Sequence, residues 1–106
     1  MSDLSTPQAI QTRLEAIETD LAILQNDVEQ AAMKWFVLKR EREKARATCF
    51  LTAKGTDTAR RMMAEQESAP VGAVDEARWE ALKAKLKVLE TRANIGMSLL
   101  RSQGRA

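Results

Sequence analysis

Residues Ile10 to Leu38 read IQTRLEAIETDLAILQNDVEQAAMKWFVL. Ile10, Leu14, Ile17, Leu21, Leu24, Val28, Ala31, Trp35 and Leu38 fall four and three residues apart throughout. This spacing puts all nine side chains on one narrow stripe of an α-helix, the stripe that coiled coils bury against another helix. The pattern returns in Trp79–Leu100, WEALKAKLKVLETRANIGMSLL, on Trp79, Leu82, Leu86, Leu89, Ala93, Gly96 and Leu100. Two stripes in one short chain specify an all-α fold: an antiparallel helical hairpin with a coiled-coil seam.

Local signals set the expected boundaries. Thr6 is a good N-cap, and Pro7 suits the first helical position, where its missing N–H costs nothing. The first helix is expected over residues 7 to 54, roughly 70 Å long, with Gly55 ending it in a left-handed conformation. Residues 55 to 74 form the connector and are expected to be the least constrained part of the chain. Within it, Thr56 or Asp57 would cap a short helix over 58 to 66, and residues 68 to 72 (SAPVG) read as an irregular turn. Asp75 is the expected cap of the last helix, residues 76 to 102. One hairpin domain then accounts for residues 1 to 106.

The large seam residues give out after Leu38, where Arg42, Ala45, Cys49 and Thr52 follow in the same register. The end of the first helix must pack closely or stay partly exposed. Phe36 and Phe50 lie beside the stripe and would widen the apolar face for a third helix.

Charge follows the same architecture. The net charge of +2 is made of alternating blocks: −5 over residues 1–33, +6 over 34–61, −4 over 62–80 and +5 over 81–106. Each long helix starts acidic and ends basic, which suits the helix dipole and places opposite charges side by side in an antiparallel pair. A hairpin of 106 residues buries little surface alone, so a homo-oligomer is expected. Gly96 stands on the stripe where a larger residue is the norm, which marks either a close helix crossing or a local weak point near a fraying end, and self-association is expected around it. Leu86, Leu89, Ala93, Gly96 and Leu100 are therefore the candidate oligomerisation residues.

Catalytic chemistry has little to work with. There is no histidine, the commonest general base and zinc ligand. The single cysteine, Cys49, has Arg46 one turn before it but no base partner, and its register makes it a packing residue. It fits a reducing, cytoplasmic setting. Glu15 with Glu18, and Asp20 with Asp27, read as a solvated acidic face. No phosphate-cradling glycine loop, metal cluster, signal segment or membrane-spanning run is present, so neither an enzyme, a cofactor nor a membrane association is expected.

The functional signal is basic. KWFVLKREREKAR, Lys34–Arg46, carries six bases in thirteen residues. Lys39, Arg42 and Arg46 form one row along the helix and Arg40 and Lys44 a neighbouring row, with Lys34 at the start and Arg60 and Arg61 beyond the turn. Such a surface binds a phosphate backbone with little sequence preference, and Trp35 and Phe36, if exposed, would stack on bases. The alternative is a solvated face whose field is moderated by Glu41 and Glu43.

The succession of Lys34-Trp35 with its basic stretch, Phe50, a glycine-containing connector, LKVLET at 86–91 and IGMSLLRS at 95–102 resembles the UvsY-type recombination mediators of tailed phages. The resemblance covers about half of the chain. It implies a small helical ring-forming protein that binds single-stranded DNA and helps a RecA-class recombinase displace single-strand-binding protein, acting in the host cytoplasm. It also implies that Lys34, Lys39, Arg40, Arg42, Lys44 and Arg46 contact the DNA backbone and that the helix around Leu86–Leu100 serves oligomer formation. The long acidic start, residues 8–31, is more regular than the resemblance explains and instead suits a coiled-coil scaffold or protein-interaction module.

Overall fold

A computed structural model describes residues 6–104. It is all-α: α1 spans Pro7–Thr52, α2 spans Asp57–Ser68 and α3 spans Ala73–Gly104. α1 packs against α3 as a hairpin. The expected stripes are the inward faces. Every α1 stripe position from Ile10 to Cys49 is buried or half-buried, as is every α3 stripe position from Trp79 to Leu100.

The chain divides into two compact units. The terminal unit joins the first half of α1, up to Val28, to α3 from Ala81 onward. Its most buried residues are Ile10 and Leu14. An added Cβ at Gly96 would lie 2.7 Å from Leu14 Cδ2. Of the two readings of Gly96, the close crossing is thus the one present, and the crossing helix is α1 of the same chain. Leu86, Leu89, Ala93 and Leu100 are half-buried on that same face of α3.

The middle unit, Glu29–Glu80, contains the end of α1, all of α2 and the start of α3. The connector is more ordered than its sequence suggested. Thr56 caps α2, its hydroxyl accepting from the Ala59 N–H at 3.2 Å. Ala64 and Ser68, four residues apart on α2, are the two most buried side chains described. Small groups at both positions let α2 lie close to the end of α1, where Ala45 and Cys49 are half-buried. The seam therefore loses its large residues where a third helix must fit.

All three helices differ from expectation at their ends, α3 running on to Gly104 instead of 102. α1 ends at Thr52, with Ala53 N–H still donating to the Cys49 carbonyl at 2.8 Å, and Gly55 follows at φ 119°. α2 begins one residue earlier and ends two later than the sequence indicated. Asp75 does not cap α3. The helix starts two residues before it, and Asp75 turns its carboxylate to Lys34 instead. The start is set by Gly72 at φ 74°: Ala73 N–H donates to the Pro70 carbonyl at 3.2 Å and Glu76 N–H to the Gly72 carbonyl at 2.9 Å. A positive φ at the third residue is what a type II turn demands, and glycine supplies it without strain.

Candidate nucleic-acid interface

All nine candidate nucleic-acid residues lie in the middle unit, and the structure separates them into two groups. The first is committed to the fold. Trp35 is only 3% exposed. It sits beside Gly72, where an added Cβ would come within 2.9 Å of its ring. Its other cover is the Arg42 guanidinium, 4.7 Å from the ring centroid. Trp35, a stripe residue that would stack on bases only if exposed, is a core residue, because it fills the contact between α1 and the turn before α3.

Arg42 is held three ways. Besides stacking on Trp35, its Nε donates to the Val71 carbonyl at 2.8 Å and its Nη1 lies 3.5 Å from Glu76 Oε1. Arg60 is held similarly. Its Nε and Nη2 donate to the Phe50 carbonyl at 3.0 and 2.7 Å, close to the end of α1, where carbonyls lack helical partners. Its guanidinium lies 4.3 Å from the Phe50 ring centroid and 3.6 Å from Asp57. Arg46 forks onto Glu65 at 3.1 and 3.5 Å, and Lys34 reaches Asp75 at 3.3 Å. Lys34 and Arg46 stay well exposed, so these two pairs are weak and can open to an anion.

The second group is free. Lys39, Arg40, Lys44 and Arg61 are exposed, and none has a polar partner among the described residues. The two rows read from the sequence therefore differ in state. In the Lys39–Arg42–Arg46 row, two of three members are paired. The Arg40–Lys44 row is wholly available. Glu41 and Glu43 are also exposed and unpaired, so the local field is positive but moderated.

Sequence reasoning singled out Phe36 but passed over Met33 and Val37 beside it. Met33, Phe36 and Val37 are exposed, and at three- and four-residue spacings they share the outward face of α1 with Arg40 and Lys44. Phe36 meets Trp79 edge-on, with centroids 5.4 Å apart, yet remains 47% exposed. The signal was available as a second, weaker spacing beside the main stripe. Phe36 is thus the accessible aromatic beside the free cations.

No helix among the described residues is long and apolar enough to cross a membrane. Comparison with protein-family models, curated proteins and solved structures gives no match.

Proposed function

We propose that this chain binds single-stranded nucleic acid through its phosphate backbone and serves, without catalysis of its own, as a recombination mediator that assists loading of a RecA-class recombinase. One observation carries the reading. Four of the candidate cations, Lys39, Arg40, Lys44 and Arg61, stand exposed and without a polar partner among the described residues, whereas Arg42 and Arg60 are tied down. Unpaired surface cations are the groups that exchange counterions for phosphates. Phe36, on the same helix face as Arg40, supplies a ring on which a base can stack. The resemblance to UvsY-type mediators supplies the biological step, with single-strand-binding protein and recombinase as partners in a host cytoplasm.

The test is a titration of fluorescent single-stranded DNA at low salt and at fourfold higher salt. Four phosphate contacts on a single strand correspond to a loss of affinity of about fiftyfold. No binding at the lower salt would remove the nucleic-acid role.

A second reading has its own support. Burial of Trp35 and the pairing of Arg42, Arg46 and Arg60 turn much of the basic stretch to structural use, while Met33, Phe36 and Val37 remain exposed. A phage scaffold or protein-interaction module would cover those three with a partner helix and show no affinity for DNA.

A further inference from the structure

The terminal unit carries a second apolar stripe that its own hairpin does not cover. On α3, Leu89, Gly96 and Leu100 turn toward the seam, whereas Val88, Ile95 and Leu99 are about half exposed. These three are spaced seven and four residues apart, the repeat of a coiled-coil face. Ile95 and Leu99 form one wall of a groove whose other wall is Ile10, Leu14 and Ile17 of α1, with Gly96 at its base. Arg13 and Arg92 also line this groove, which spans about two turns of each helix; a helix pair with such an apolar groove on one side has the form of half a four-helix bundle.

Charge identifies what completes it. On the α1 segment, Glu15, Glu18, Asp20 and Asp27 are exposed and unpaired, against a single base, Arg13. On the α3 segment, Lys85, Lys87, Arg92 and Arg101 are exposed and unpaired, against a single acid, Glu90. One helix is acidic, its neighbour is basic, and none of these charges has a partner among the described residues. If two copies met α3 to α3, Lys85 and Arg92 would face their own counterparts. If each α3 instead lies beside the other copy's α1, every neighbour in the bundle is of opposite sign and like helices sit on the diagonals. That arrangement also joins the two grooves into one core.

We infer that the terminal unit pairs with a second copy of this chain through the Ile10–Ile17 and Ile95–Leu99 groove, forming a four-helix bundle of alternating acidic and basic helices. The pairing uses a face of α3 distinct from the seam and stands apart from the nucleic-acid reading.

The test is the mass in solution of the full-length protein at tens of micromolar. The wild type is expected at two chains and Ile95→Glu/Leu99→Glu at one. Both replaced side chains are already about half exposed, so helicity by circular dichroism is expected to stay unchanged. A second pair of variants keeps the test decisive if that one unfolds. Asp20→Lys/Asp27→Lys and Lys85→Glu/Arg92→Glu are each expected to lose the two-chain species alone and to regain it on mixing. A monomeric wild type, an assembly that Ile95→Glu/Leu99→Glu leaves intact, or charge variants that do not recombine on mixing would overturn the inference.

Discussion

The two units use one heptad pattern in different ways. In the middle unit the seam is reinforced: a buried indole, a guanidinium stacked on it, a glycine turn pressed against it and four ion pairs. In the terminal unit the seam is plainer, with two buried aliphatic residues, the rest of the stripe half-buried, and on each helix a run of charges without partners among the described residues. A heptad stripe therefore sets which face is inward, while the residues flanking it decide whether the region closes on itself or stays open to a partner. Closure in the middle unit also selects which of the candidate cations remain unpaired among the described residues.

Removing the side chain that closes the middle unit is expected to have the largest effect. Trp35→Ala should cost about 3–5 kcal/mol in chemical denaturation. Ile95→Ala, at a half-exposed site of the terminal unit, should cost about 1 kcal/mol or less in a monomeric background. Equal losses would erase the contrast between the units.

Glycines sharpen it next. Gly72→Ala imposes a positive φ on a residue with a Cβ and drives that Cβ toward Trp35 and Leu38, each 2.9 Å away. The expected cost is about 2–4 kcal/mol. Gly96→Ala places its Cβ against the flexible end of Leu14 and gains about 1 kcal/mol of helix propensity, so thermal unfolding should move little.

Arginine comparisons come third. Arg42→Gln removes a charged donor from the Val71 carbonyl and the cover from Trp35, and should cost about 1.5–3 kcal/mol. Arg13→Gln, on the rim of the terminal groove, should change monomer stability by about 0.5 kcal/mol or less. Between those two lies the α2 cap, where Thr56→Ala should cost about 1 kcal/mol. Hydrogen exchange should then show early opening of α2 alone.

Much of the fold was legible because a repeat of 3.5 residues leaves few alternatives. Both seams and the Thr6 and Thr56 caps, each hydroxyl accepting from the N–H three residues on, follow from local chemistry. What was not legible depended on partners distant in sequence. Asp75 read as a cap because its neighbours gave no hint of Lys34. Gly72 read as an irregular turn because its task, admitting Trp35 and Leu38, involves residues more than thirty positions away. The basic stretch announced itself by composition, but composition cannot tell Arg42, bonded to a carbonyl, from Arg40, bonded to nothing. The close crossing at Gly96 was readable as one of two alternatives, whereas the identity of the helix that crosses it was not.

The central claim is that function rests on the cations the fold leaves free in the middle unit. Binding of single-stranded DNA by two charge-matched variants tests it most directly. Arg40→Gln/Lys44→Gln and Lys87→Gln/Arg101→Gln each remove two exposed, unpaired bases, the first pair from the middle unit and the second from the terminal unit. The account predicts that the first variant loses about tenfold or more in affinity at low salt and has a shallower salt dependence by about two contacts, while the second stays close to wild type. Equal losses, or a loss confined to the second variant, would contradict it.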